Sequence, residues 1–473
     1  MNRSRRIFGI PTGQMLAWVG AAALVRVGAW WWAGSDLPCS FDGCSYLDLA
    51  HQMAAGVDLG PEQGFLWPPG FPAFLALLAP PAGSTAGLAR LVQACLGALL
   101  VVPTAAFAAL LTRADAVSPG QPTNAGALAP AGQAPVVHLA LAFTAFDPTL
   151  VAFSHLLWPE TIFLVLLTTS ITCIIACERL HGWLVAGATL GGAALFKAIG
   201  FWLALPVLAV RMLDRARPGG WRVPALVLGA ALLVISPWTI RNAIRYGRFV
   251  FIDVTLGTNL YLGNSDAAPV TWDWGTPQRS RARASRGRCQ EGDFIDRNRC
   301  EVRRAVGWIA DHPRAFASRA VTKWADLLNP TSFLVRQVRA GRYRGMPMAR
   351  VSRGAAALAT MAAAVPWMAL VVLAIVGLWV PSAPVPRRAV VAMILSLLLI
   401  HALTFGMSRF RLPMVPFLAG YAGLALWRMR DGRWWPRQPN DRASLLVLLL
   451  TVGYLWGLRL SPLLDLNPFT GLQ

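Results

Sequence analysis

The chain has 473 residues, of which 56% are hydrophobic and only 14% charged, and its mean hydropathy is +0.50. A soluble globular domain carries about one quarter charged residues, so this composition excludes a string of soluble domains and indicates an all-α polytopic membrane protein. The net charge of +21 suggests nucleic acid in a soluble protein, but beside recurring apolar runs of bilayer length it reads as topology and surface, and a nucleic-acid partner is excluded.

The first apolar run, Gln14–Gly34, is long enough to span, and no small-residue cleavage site follows it cleanly, so it reads as a first transmembrane helix rather than a signal peptide. Further runs fall at Leu88–Leu111, Pro135–Leu157, Trp158–Cys177, Trp183–Ala198, Ile199–Leu213, Val223–Ile240, Ala355–Val380, Ala389–Met407, Arg411–Trp427 and Ser444–Leu460. That gives about eleven spans within an expected bundle of 11–13 helices, plus a short apolar piece at Phe71–Pro80. Alternating the spans puts Arg3, Arg5, Arg6, Arg113, Arg179, Arg211, Arg387, Arg388, Arg428 and Arg430 on one side. By the positive-inside rule that side, with the N-terminus, is cytoplasmic. The expectation is a multi-pass protein of a bacterial cytoplasmic (inner) membrane: an N-terminal membrane module over 1–240, an external segment over 241–354 and a C-terminal membrane module over 355–473.

The first external loop, Ser35–Gly87, contains no Lys or Arg but carries Asp36, Asp42, Asp48, Asp58 and Glu62. Cys39 and Cys44 lie in it, and Cys289 and Cys300 lie in the second external segment. Oxidising conditions outside permit two bridges, with reduced thiols at the membrane surface as the alternative. Neither pair has the spacing or the His partners of a zinc site, so no metal is expected. Ala114–Ala134 reads as a flexible Pro/Gly/Ala-rich linker. In the second segment, Asn298–Ala310 and Ala315–Leu328 have apolar residues at helical spacing, separated by Asp311-His312-Pro313, and read as amphipathic helices at the membrane surface or over a cavity. Arg279–Arg304 is a dense charge run, read as a solvated or lipid-facing surface.

Chemistry is sought where ionisable residues approach the membrane. Asp42 is placed to cap a short helix whose apolar face includes Tyr46, Leu47 and Ala50, which fixes a carboxylate close to the bilayer. Trp67-Pro68-Pro69-Gly70-Phe71-Pro72 starts a short apolar helix and shapes a groove. Glu160 opens a span just after Pro159, with His155 upstream, and Lys197 sits between two spans; Lys197 and Lys323 are the only lysines. Arg241, in Ser236-Pro-Trp-Thr-Ile-Arg241-Asn242, and Arg409 and Arg411, in Ser408-Arg-Phe-Arg-Leu-Pro413, have the fork geometry that suits a lipid phosphate.

At these residues the chain resembles the bacterial branch of the protein O-mannosyltransferase superfamily, polytopic GT-C glycosyltransferases (glycosyltransferase family 39-like) that include the lipid A aminoarabinose transferases. The resemblance rests on Asp42-Gly-Cys-Ser-Tyr46 with Ala50 and Gly56, Pro68-Pro-Gly-Phe-Pro72, Pro159-Glu160-Thr161, Pro237-Trp-Thr-Ile-Arg241-Asn242, Gly257-Thr-Asn259-Leu-Tyr261-Leu-Gly263-Asn264, and Arg409-Phe-Arg411-Leu-Pro413, in order over nearly the whole chain. Gly43 follows Asp42 where protein mannosyltransferases have an Asp-Glu pair, and Leu66 and Trp67 stand where aminoarabinose transferases have charged residues.

The resemblance implies a GT-C bundle that takes a sugar from a polyprenyl-phosphate carrier and delivers it to a lipid, glycan or protein acceptor at the external face, by an inverting displacement without a cofactor. It implies Asp42 as general base and Arg241, Lys197, Arg409 and Arg411 as the charges that neutralise the departing polyprenyl phosphate. Glu160 would orient the base or bind sugar hydroxyls, and Tyr46, Asp48, His155 and Asn259 complete the expected substrate-binding set. Two other classes remain open at this point: a flippase for polyprenol-linked substrates, and a non-catalytic scaffold of the same fold. No internal repeat or matched pair of broken spans supports a carrier.

Overall fold

The computed structural model describes residues 6–34, 39, 41–57, 67–79, 85–112, 133–266, 289, 291–332, 335, 342–343, 346–347, 352–436 and 438–464. Residues 114–132 of the Ala114–Ala134 linker, Asp36, Asp58, Glu62 and the 279–288 part of the charge run lie outside them, while Gln133 and Ala134, read as linker, open a helix. The protein is an all-α polytopic membrane protein. Among the described residues, seven helices are long and apolar enough to cross a membrane and four shorter apolar helices accompany them, in register with the eleven apolar runs of the sequence. Among the described residues, strand is confined to two short antiparallel pairings, Arg6–Ile7 with Ile10–Pro11 and Arg342–Tyr343 with Met346–Pro347.

The chain divides into two compact units, one of residues 1–253, 370–396 and 412–437 and the other of 254–369, 397–411 and 438–473. In the first unit α1 (Thr12–Ala29) is followed by α2 (Phe41–Ala54), α3 (Gly70–Leu77), α4 (Thr85–Ala98), α5 (Val101–Leu111), α6 (Gln133–Phe146), α7 (Pro148–Phe153), α8 (Glu160–Ala176), α9 (Leu180–Phe196), α10 (Ile199–Leu213) and α11 (Arg222–Tyr246). The expected single run Pro135–Leu157 is broken in two places. Asp147 accepts from the Leu150 N–H at 2.8 Å with Pro148 at the first helical position, which starts α7 afresh, and residues 154–159 form a non-helical turn before α8. The opposite correction applies to α11, which runs to Tyr246 rather than stopping at Ile240, so Arg241 is a helical residue.

Small residues set the closest approaches. Gly187 and Gly191, four apart on α9, face the carbonyls of Val227 and Ala231 on α11, where a Cβ would collide with the backbone. In the same unit Phe107 of α5 meets Phe417 edge-on at 5.0 Å, and Gly423 lies against the Val136 carbonyl of α6. Phe417 and Gly423 belong to α17 (Val415–Arg430), which follows a 3-10 turn at Ser408–Met414; Pro413 and Pro416 explain why the apolar run starts as a tight turn.

The second unit contains α12 (Leu256–Gly263), α13 (Phe294–Asp311), α14 (Pro313–Leu327), α18 (Pro439–Leu464), and parts of α15 (Arg353–Trp379) and α16 (Pro384–Leu403). Asp293 caps α13 by accepting from Ile295 and Asp296. Pro313 restarts the chain as α14 after the His312 break, so the two amphipathic helices stand where the sequence puts them. Leu260, Tyr261 and Ala305 pack α12 on α13, and the Cys289–Cys300 disulfide closes the entry to α13.

Candidate functional site

In the first unit, Asp42 lies in the first turn of α2 and is half-buried rather than standing at the cap itself. Cys39 and Cys44 are disulfide-bonded, with 5.0 Å between their Cα atoms, which ties the entry of α2 to its first turn. Tyr46, one turn on, is buried, with its ring 5.1 Å from Trp67 and 5.1 Å from Phe71. Asp48 is exposed. The Tyr46 contacts seat α2 on α3, and Gly70 at the head of α3 seats α3 on α9: a Cβ there would stand 2.8 Å from the Leu195 carbonyl oxygen.

Two residues beyond Leu195, Lys197 caps α9 in an extended conformation. Its Nζ donates to Glu160 Oε1 at 2.9 Å. The two side chains are 20% and 4% exposed, so the pair is largely withdrawn from solvent. Glu160 opens α8, immediately after the 154–159 turn. His155 in that turn is buried.

The carbonyls of this turn are held from α4. Arg90 Nε donates to the His155 carbonyl at 3.1 Å, and Gln93 Nε2 donates to the carbonyls of Leu156 at 3.1 Å and Trp158 at 3.3 Å. Arg90 and Gln93 are 2% and 0% exposed. Arg26 of α1 is buried too, with Nη1 donating to the carbonyls of Ala22 and Ala145. Sequence reasoning passed over these three residues because they sit inside apolar runs; their signal was a polar residue at bilayer depth, which by default demands a partner.

Arg241 lies with its guanidinium 4.9 Å over the Trp238 ring, and its Nη1 donates to the Tyr246 hydroxyl at 3.0 Å. Trp238 Nε1 donates to the Ile252 carbonyl at 2.9 Å and Thr239 Oγ1 to that of Phe251 at 2.7 Å, so the irregular segment after α11 folds back along it. Ile235 and Ile252 pack on Ala194, with Leu195 and Ala198 alongside. The Arg241 motif is therefore anchored to the same end of α9 that bears Lys197.

In the second unit, Asn259 is half-buried within α12. Asn264, at the end of that motif, accepts from Lys323 Nζ at 3.0 Å, and Lys323 also donates to the Ala402 carbonyl at 2.8 Å. Burial pushes the Lys323 ammonium down to about 7, and the charge of Arg319 acts in the same direction. Arg409 is half-buried with its guanidinium 5.0 Å over Phe410. Arg411 is 1% exposed, lies 3.9 Å over the Trp367 ring and donates to the Asn329 carbonyl. The candidates thus fall into two sets, one in each unit: Asp42, Tyr46, Asp48, His155, Glu160, Lys197 and Arg241, and separately Asn259, Arg409 and Arg411.

No family model matches the sequence, and no curated protein matches it. Among solved structures the chain is similar to ArnT from Cupriavidus metallidurans bound to undecaprenyl phosphate, at 16% identity and a TM-score of 0.46, over 96% of this chain and 66% of that one. It is also similar to ArnT from Cupriavidus metallidurans in the apo state, at 17% identity and a TM-score of 0.39, over 87% of this chain and 78% of that one. The chain spans just under two thirds of the length of the first of these structures.

Proposed function

We propose that this chain is a GT-C membrane glycosyltransferase that moves a sugar from a polyprenyl-phosphate carrier to a lipid, glycan or protein acceptor at the external face of a bacterial cytoplasmic membrane. The observation that carries the proposal is the packed series in the first unit. The Asp42 helix rests through Tyr46 on Phe71, Gly70 rests on Leu195, and Lys197 pairs with Glu160. Motifs some 150 residues apart in the chain, each weak alone, are joined by direct contacts, as a shared site requires.

In the proposed reaction Asp42 takes the proton of the acceptor hydroxyl as that oxygen attacks the anomeric carbon. The bond from that carbon to the phosphate oxygen breaks with inversion, and the electron pair leaves on the polyprenyl phosphate. Lys197 and Arg241 supply positive charge for that leaving group, and Glu160 orients Lys197. Tyr46, Asp48 and His155 of the same unit are proposed as substrate contacts. No metal ion takes part in this scheme, which persistence of activity in chelator tests.

The decisive experiment is release of free polyprenyl phosphate from synthetic polyprenyl-phosphate sugars by purified protein, with a membrane extract as acceptor, comparing wild type with Asp42→Asn. Acceptor-dependent release that falls by about 10²–10⁴-fold in the variant supports transfer with Asp42 as base. Equal release from both moves the base to Glu160 or Asp48. Absence of release with every donor tried moves the reading to the flippase or the scaffold.

A further inference from the structure

We propose that Arg90 and Gln93 of α4 are positioning residues that fix Glu160, and through it Lys197, by holding the carbonyls of the turn that precedes α8. This inference rests on the transferase reading for its catalytic consequence, while its structural content stands on the hydrogen bonds alone.

The turn at 154–159 interrupts helix where every residue of it is buried, and a buried carbonyl needs a donor. Three of its carbonyls find one on α4: His155 from Arg90, and Leu156 and Trp158 from Gln93. The donors lie three residues apart on one face of the helix, so a single rigid element grips the turn along its length. Gly97, four residues beyond Gln93, continues that face. A Cβ there would stand 2.9 Å from the Thr161 side chain and 3.0 Å from that of Ser154, so these two side chains lie directly against the α4 backbone. From the other side, Thr161 Oγ1 donates to the Phe153 carbonyl at 3.1 Å.

Glu160 is the residue immediately after this gripped segment, and its carboxylate is what Lys197 reaches across from α9. Pro159 at the head of α8 has no N–H to give, so the bonds to the turn's carbonyls act with the Thr161–Phe153 bond in setting the angle at which α8 begins. A side chain at the start of a helix moves with that helix start. Loosening the turn therefore displaces the Glu160 carboxylate, and a displacement of about 1 Å at a group that orients a reacting charge costs about 100-fold in rate.

The test is a double-mutant cycle on polyprenyl phosphate release. Gln93→Met keeps the length of the side chain and removes both N–H donors. It is expected to lower kcat about 100-fold with the donor KM little changed, and to change kcat by less than about threefold when Glu160→Gln is already present. Losses that multiply in the double variant overturn the proposal, because Gln93 would then act on the protein at large rather than through Glu160. Arg90→Lys, which keeps the charge but loses the Nε–H, serves as the second variant should Gln93→Met not fold, and is expected to show the same non-additivity. Amide hydrogen exchange provides a readout that needs no activity. In Gln93→Met the amides of residues 155–158 are expected to exchange faster while those of α9 do not, and unchanged exchange at 155–158 overturns the placement. A wild type that releases nothing, with exchange altered as expected, overturns the transferase reading and the catalytic consequence while leaving the positioning intact.

Discussion

Lys197 Nζ lies 2.9 Å from Glu160 Oε1, linking the C-terminal cap of α9 to the first position of α8 across 37 residues of sequence. With the carboxylate only 4% exposed, loss of the lysine leaves a buried charge without its partner, which costs about 3–5 kcal/mol in a closed site and less here because Lys197 keeps some contact with solvent. Lys197→Met is therefore expected to lower the unfolding temperature in detergent clearly, and the double variant Lys197→Met/Glu160→Leu to recover most of that loss. Neither is expected to release polyprenyl phosphate. A double variant no more stable than Lys197→Met alone would show that the pair does not act as a unit.

The Cys39–Cys44 disulfide closes a separation of only five residues, so its effect on the unfolded chain is modest, about 2 kcal/mol by loop entropy. Its local effect is larger, because it ties down the end of α2 that carries Asp42. Replacing both cysteines by serine is expected to lower activity by at least tenfold with a small shift in unfolding temperature. The equivalent change at Cys289 and Cys300 is expected to cost about 3 kcal/mol, read as faster hydrogen exchange in α12 and α13. Activity unchanged by loss of the first bridge would detach the disulfide from the site.

The spans were legible because a bilayer leaves the backbone no other partner than itself, and the resulting long apolar helices write themselves into the sequence as runs. The breaks inside them were less so. The Asp147-Pro148 restart carries a local signal in its cap and proline, but the 154–159 turn is specified by Arg90 and Gln93, some 65 residues earlier in the chain. Glu160 and Lys197 each stood out as ionisable residues in apolar surroundings, yet nothing in the spacing joins one to the other. Lys323 was visible only as one of two lysines. Its partners, Asn264 and the Ala402 carbonyl, lie 59 residues before it and 79 after it, and no periodicity of α14 points to either.

Arg409 and Arg411 share a motif but differ in surroundings, and conservative replacement should separate them. Arg411 stacks on Trp367 and bonds a buried carbonyl, both of which need a planar guanidinium. Arg411→Lys is expected to cost about 2 kcal/mol of stability, roughly the worth of a desolvated cation–π contact. Arg409→Lys, at a half-buried position, is expected to stay within about 0.5 kcal/mol of wild type. Thermal unfolding of the two variants checks this, and equal loss of stability in both would remove the distinction.

Lys323 gives the second unit a pH dependence whose sign can be worked out. Its ammonium is pushed down to about 7 in the folded protein, chiefly by burial, against 10.4 for an unperturbed lysine. Between these values the unfolded chain binds the proton and the folded chain does not, so stability rises as pH increases from about 7 to about 10.4. Below about 7 both states are protonated and the contribution is flat; above about 10.4 both are neutral and it is fully present. A neutral amine suits the site, because its two N–H groups match the two acceptors it meets, Asn264 Oδ1 and the Ala402 carbonyl, neither of them charged. The swing is on the order of a few kcal/mol. Hydrogen exchange of α12 and α14 amides at several pH values, corrected for intrinsic exchange, is expected to show protection growing through this window in wild type and a flat profile in Lys323→Met. That variant should also be less stable at high pH, where wild-type Lys323 holds Asn264 and Ala402 without the cost of a buried charge. A wild-type profile as flat as that of the variant would mean that Lys323 stays protonated in the fold and finds an anion to balance it.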